Sequence, residues 1–135
     1  MNEYSVCWRK YAVFSGRATR REYWMFSLIN FMIYFGLLLP SLFAAAHAMA
    51  NNLTPPHSGP AYILGWIGNV YGFAQILPGI SVAVRRFHDT DHSGWWYWIN
   101  LIPIAGWIVA LVFLCSLGTE DENRYGPVPD AVATG

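Results

Sequence analysis

The sequence predicts an all-α membrane protein, with an N-terminal interfacial helix followed by three transmembrane helices, the third broken near Pro103 and Gly106. Three observations lead there. Only 12% of the 135 residues are charged and 55% are hydrophobic, where a soluble domain carries about a quarter charged. Residues 23–48, 61–84 and 95–117 contain no Asp, Glu, Lys or Arg, and each stretch is long enough for a hydrocarbon core of about 30 Å. The charges gather in short blocks around these stretches, as expected when lipid surrounds the spans and water their ends. The length fits a single membrane domain, 1–135.

The formal net charge is zero, which speaks against a nucleic-acid partner, since neutralising phosphates takes a broad basic face. Met1 is followed by a polar, tyrosine-bearing segment without an early apolar region or a small-residue cleavage site. The first span is therefore expected to act as an uncleaved anchor.

Within the cytoplasmic interfacial segment, 1–22, residues 2–14 place Tyr4, Cys7, Trp8, Tyr11 and Phe14 at helical spacing, with Asn2, Glu3, Ser5, Arg9 and Lys10 largely elsewhere on the wheel. The pattern suggests a short helix lying on the membrane. An unstructured tail is the competing reading, because so short a helix has little stability alone. Gly16 offers a turn, and Thr19 with Glu22 has capping-box spacing, so a helix should begin near Thr19 or Arg20. In the first span, 23–48, Tyr23, Ser27, Asn30, Tyr34 and Ser41 fall on one arc that should face protein.

The polar, proline-rich residues 49–60 carry no Lys or Arg and form a loop. In the second span, 61–84, Gly65, Gly68, Gly72, Gly79 and Ala83 mark a face that admits another helix closely, with Asn69 beside it. Pro78 should kink this span near its charged end. The third stretch, 95–117, has two readings: one kinked crossing, or a pair of half-helices returning to the same side. Its length favours one crossing. The polar tail, 118–135, is turn-rich.

Orientation follows from Lys and Arg in short loops. Arg9, Lys10, Arg17, Arg20 and Arg21 precede the first span, the first loop has none, the second has Arg85 and Arg86, and the tail has only Arg124. With three crossings the N-terminus is expected in the cytoplasm and the C-terminus in the periplasm. Cys7 and Cys115 would then face opposite surfaces, which excludes a disulfide between them.

Three blocks together carry a family resemblance: Phe14-Ser15-Gly16-Arg17-Ala18-Thr19-Arg20-Arg21-Glu22-Tyr23-Trp24; Arg85-Arg86-Phe87-His88-Asp89-Thr90 with Ser93-Gly94-Trp95-Trp96; and Asn123-Arg124-Tyr125-Gly126-Pro127. The Ile102-Pro103-Ile104-Ala105-Gly106 break also fits. The chain resembles the YhaH-like family of small bacterial inner-membrane proteins, a domain of unknown function, over nearly its whole length. The resemblance implies a multi-pass protein of the bacterial cytoplasmic membrane and supplies no substrate. Asp91-His92 departs from the family pattern, in which a small or polar residue more often precedes a basic one.

Arg85 through Trp96 is where charge, imidazole and indole concentrate. His88, Asp89, Asp91 and His92 offer metal-ligand chemistry, but no HExxH, CxxC or serine-nucleophile pattern accompanies them. The sequence thus points to no catalytic, metal or cofactor residue. The stronger reading is structural: Arg85 and Arg86 complement the carbonyl end of the second span, and Asp89 or Asp91 with Glu22 pair with Arg17, Arg20 or Arg21. The same residues could hold an anionic headgroup or a partner: Arg17, Arg20, Glu22, Trp24, Arg85, Arg86, His88, Asp89, Ser93 and Trp95. Membrane lipids are then the expected partners, with a second copy or another membrane protein also compatible. Function reads as a non-enzymatic scaffold or a lipid- or partner-binding protein. The alternatives are a small oligomeric transporter or channel and, behind it, a membrane enzyme using His88 and Asp89.

Overall fold

A computed structural model describes residues 3–55 and 57–129. Asn2, the side chain of Glu3, Pro56 and the tail from Asp130 lie outside the described residues. The elements are α1 (Glu3–Arg9), α2 (Arg20–Ala50), α3 (Pro60–Asp89), a 3-10 helix (Gly94–Leu101) and α4 (Ala105–Cys115). Two compact units result, one of Met1–Ser27 with Leu77–Gly135 and the other of Leu28–Ile76. Every Lys, Arg, Asp and Glu belongs to the first.

α2 and α3 hold 31 and 30 residues, about 46 and 45 Å at 1.5 Å per residue, and both are apolar enough to cross a membrane. Only 6% of the most apolar window of α2 is buried, and 28% of that of α3. Leu28, Phe31, Met32, Leu42 and Phe43 stand exposed on α2, and Val70 and Phe73 on α3. Apolar surface this extensive marks a lipid-facing helix and not the core helix of a soluble protein.

α2 starts at Arg20 because the Thr19 hydroxyl accepts the Glu22 amide hydrogen at 3.0 Å. This is one half of the expected capping box. The other half is missing because the Glu22 carboxylate turns to Arg85, whose Nη1 donates to it at 2.7 Å.

In the Leu28–Ile76 unit the two helices meet through small residues. A Cβ added at Gly65 would lie 2.8 Å from Ser41 Oγ, one at Gly68 3.1 Å from Leu38, and one at Gly72 2.8 Å from the Tyr34 ring. The falling partner numbers show that the helices run antiparallel. Asn30, buried on α2, accepts a hydrogen bond from the Tyr71 hydroxyl on α3, so its side-chain oxygen is paired between helices as membrane depth requires. Asn69 instead donates to the Gly65 carbonyl of its own helix at 2.8 Å.

In the other unit α1 has seven residues, shorter than the 2–14 expectation, and Tyr11 and Phe14 follow it, exposed. Its apolar side packs inward. Cys7 joins Ala18, Phe26 and Val82 in a buried cluster, with Tyr4 and Trp8 against it, and Tyr4 stacks on Phe26 at 5.9 Å. The Ser81 hydroxyl lies 2.9 Å from the Lys10 carbonyl and 2.7 Å from that of Val13, holding the turn that follows α1.

The largest departure from expectation is at residues 95–117. They form a hairpin of two short helices and not one continuous kinked helix. The 3-10 helix has eight residues and α4 eleven, each about 16 Å long and so about half of a 30 Å core. Between them Pro103 has no amide hydrogen to continue a helix, Ile104 takes φ +66°, and a side chain at Gly106 would land on the Ile99 carbonyl. Trp107 Nε1 donates back to the Asn100 carbonyl at 3.1 Å. Both ends of the hairpin reach the last two turns of α3: a Cβ at Gly94 would be 2.6 Å from Val84 Cγ1, and Arg86 Nε donates to the Leu114 carbonyl at 3.2 Å.

Candidate functional site: a buried arginine–carboxylate knot

The last turns of α3 bury Arg85, Arg86, Phe87, His88 and Asp89 together. Helical geometry sends Arg85 and Arg86 to different neighbours. Arg85 faces α2 and pairs with Glu22. Its Nε and Nη2 are buried without a hydrogen-bond partner among the described residues. Arg86 faces the hairpin, giving Nη2 to the Ser116 carbonyl and Nη1 to Asp89, one turn away.

Asp89 is the hub. Its other carboxylate oxygen accepts from Arg17 Nε at 2.9 Å. Arg17 in turn gives Nη1 to the Asp121 carbonyl at 2.8 Å and Nη2 to the Thr119 carbonyl at 2.6 Å. One carboxylate therefore ties the segment before α2, the end of α3 and, through Arg17 and Arg86, the hairpin exit and the tail. The chain approaches so closely that a side chain at Gly118 would land on the Asp89 carboxylate.

His88 is occupied as well. Its Nδ1 donates to the Gly16 carbonyl at 3.2 Å, and its ring stacks on Tyr125 at 3.9 Å. Asn123 Nδ2 donates to the His88 carbonyl at 2.9 Å, occupying an acceptor at the end of α3. Arg124 Nε meets Asp91 Oδ1 at 3.0 Å in an exposed pair. The Asn123–Gly126 turn closes on itself through paired backbone hydrogen bonds, with Gly126 at φ +125°. The expectation that this tail lies on the far side from the arginine blocks is thus corrected, because the hairpin brings the chain back.

Of the residues singled out in the sequence, Arg17, Glu22, Arg85, Arg86, His88 and Asp89 come together. Arg20 and Arg21 stand exposed at their edge, and Arg20 Nη1 reaches the Cys115 carbonyl at 3.3 Å. Trp24 is half-exposed and set edge-on to Tyr23. Ser93 caps the 3-10 helix, accepting from Trp95 N at 3.4 Å. Trp95 is 79% exposed, outside the knot. Asn123, Arg124 and Tyr125 join the knot, as the half-helix reading of 95–117 requires, whereas Asp121 joined unforeseen, and so did Cys7, whose thiol donates to Glu22 Oε1 at 3.6 Å. Cys7 and Cys115 are free and belong to the same unit, so the opposite-surface argument against their pairing does not apply. Among the described residues no group of three His, Cys, Asp or Glu side chains is arranged to hold a metal ion.

Long lipid-facing helices with a buried polar knot at one end define a helical membrane protein. The family is settled by comparison: residues 11–127 match a family described as a protein of unknown function, DUF805, and the chain belongs to it. It is 39% identical to inner membrane protein YhaH of Escherichia coli (strain K12) over 96% of this chain and 97% of that one. It is also 39% identical to inner membrane protein YhaI of the same organism, over 96% of each chain. With its apolar helices the protein is a multi-pass protein of the inner membrane. No solved structure matches it.

Proposed function

We propose that the protein is a non-enzymatic scaffold of the inner membrane, crossing it twice with α2 and α3. Its hairpin is re-entrant, entering and leaving at the cytoplasmic face, so that both the N-terminal segment and the tail are cytoplasmic. The observation that carries the scaffold reading is the double engagement of Asp89 by Arg17 and Arg86. The groups that resemble chemistry in the sequence are occupied in joining chain segments.

The charge distribution supports the topology. With two crossings all eight Lys and Arg fall on one side, whereas a third crossing would carry Arg124 across. The neutral polar groups weigh against transport. Of Asn30, Asn69, Gln75 and Asn100, the three asparagines bond to Tyr71, Gly65 and Tyr97 within the protein.

A C-terminal reporter active only in the cytoplasm tests the topology; periplasmic activity there overturns it. Replacing Arg85, His88 or Asp89 by Ala and following both membrane abundance and phenotype tests the scaffold. Abundance and phenotype should fall together, and a phenotype lost at full abundance indicates catalysis instead.

A further inference from the structure

Four neutral amides lie within the charge-free runs: Asn30, Asn69, Gln75 and Asn100. Three are engaged inside the chain, with the Tyr71 hydroxyl, the Gly65 carbonyl and the Tyr97 carbonyl. Gln75 differs. Its side chain makes no hydrogen bond among the described residues, although Asn69 on the same helix shows that an amide there can turn back to its own backbone. Nor is the amide sealed inside. Gln75 is half-buried, and among the described residues the fully buried side-chain nitrogens and oxygens without a partner belong to Arg85, so the amide of Gln75 reaches the molecular surface.

Depth decides what that surface meets. Nine residues of the uncharged run 61–84 separate Gln75 from its charged end, about 14 Å at 1.5 Å per residue and so close to the middle of a core of about 30 Å. Headgroups and water lie at the ends of such a core, and an amide left unpaired in hydrocarbon is strongly disfavoured. A primary amide carries a donor and an acceptor together. The group that completes both is another primary amide at the same level, and a twofold axis beside α3 supplies one by setting Gln75 of each copy opposite Gln75 of the other. Lipid chains offer neither a donor nor an acceptor.

We infer that α3 pairs with α3 of a second copy about a twofold axis at Gln75, the two amides exchanging reciprocal hydrogen bonds at the middle of the membrane. Interhelical hydrogen bonds of this kind are among the forces that hold helices together in lipid, where burial of apolar surface gives no drive. The inference rests on α3 crossing the membrane, which two crossings and three share. A reporter result that overturned the re-entrant hairpin would leave the pairing standing, and loss of self-association would leave the topology standing.

The test is energy transfer between full-length copies carrying donor or acceptor fluorophores fused at the C-terminus, followed in vesicles as added lipid dilutes the protein. Transfer should fall on dilution as the dimer dissociates. Gln75→Leu should weaken self-association about eight-fold, from about 2.8-fold for each of two interhelical hydrogen bonds. Phe73→Leu, on the exposed apolar side of α3, should leave it unchanged. A mixed pair of one wild-type and one Gln75→Leu copy should associate as weakly as two variant copies, because neither reciprocal bond forms without both amides. No transfer between wild-type copies, or transfer indifferent to Gln75→Leu, overturns the inference. A mixed pair midway between the two also overturns it, giving Gln75 a different group of the second copy, as does Gln75-dependent association with another membrane protein in place of self-association.

Discussion

Arg17 Nε donates to Asp89 Oδ1 at 2.9 Å across 72 residues of sequence, with the two side chains 1% and 7% exposed. An ion pair this buried gives little net stability over an apolar pair of the same shape, yet breaking it is costly because the surviving charge stays buried. Here two guanidiniums depend on one carboxylate. Asp89→Ala should therefore destabilise the fold by about 3–5 kcal/mol, read as a lowered unfolding midpoint in detergent and reduced membrane abundance. Asp91→Asn, which removes the charge of the exposed pair with Arg124 and keeps a side chain tolerated at the φ of +58° found there, should cost under about 1 kcal/mol. Equal effects of the two substitutions would remove Asp89 from its position as hub.

Glu22 and Arg85 predict a different pattern. Their contact is a single hydrogen bond, and Arg85 Nε and Nη2 have no partner among the described residues, so the pair is imperfectly compensated for its burial. Glu22→Leu alone strands Arg85 and should cost about 3–5 kcal/mol. The double variant Glu22→Leu/Arg85→Met removes both charges and should be more stable than either single variant. A double-mutant cycle on unfolding midpoints measures this; strictly additive losses would contradict it.

Cys7 adds a pH dependence to the same contact. Burial pushes its thiol up from the ordinary 9.0 to about 12, the Glu22 carboxylate adds to the effect, and Arg85 opposes it. Below pH 9 the thiol is protonated both folded and unfolded, and this stabilisation is intact. As pH rises from about 9 towards 12 the unfolded chain loses the proton first, so stability falls. Cys7→Ala should flatten that decline in pH-dependent unfolding. In a Cys115→Ser background Cys7 should also resist maleimide at pH 8 until the protein is denatured, since the thiolate is the nucleophile.

Much of this architecture is visible in the sequence, for reasons that differ by element. The charge-free runs mark α2 and α3 because lipid excludes charge wherever it falls, and the Thr19 hydroxyl marks the start of α2 because an amide three residues on needs an acceptor. The convergence of Arg17 with Asp89 follows from both blocks flanking the same ends of two antiparallel helices. The hairpin is harder to read. A 23-residue uncharged run, 95–117, is long enough for one crossing; Pro103 and Gly106 mark a break in it, but a break fits a kink as well as a reversal, and the side chain of Ile104 gives no sign of the positive φ that turns the chain back. Arg124 and Tyr125 could not be placed beside Asp91 and His88 until that reversal was known. Glu22 has the spacing to complete a capping box, and only the tertiary position of Arg85 draws it away.

Gly118 is the sharpest test of the tail's place in the knot. The Thr119 amide donates to the Asp89 carbonyl at 2.9 Å, drawing the backbone so close that a Cβ at Gly118 would overlap the Asp89 carboxylate. That carboxylate cannot swing aside, because Arg17 and Arg86 hold its two oxygens. Gly118→Ala should therefore cost about 1–3 kcal/mol by overpacking, although alanine is ordinarily the mildest replacement for glycine. At Gly36, where a Cβ meets nothing within 4 Å, the same change lies inside a helix and should stabilise by about 0.4–1 kcal/mol. Opposite signs at the two glycines, read from unfolding midpoints in detergent, are the expected result. A neutral Gly118→Ala would mean that the tail does not close on Asp89, and the exit of the hairpin would then be held by Arg86 without it.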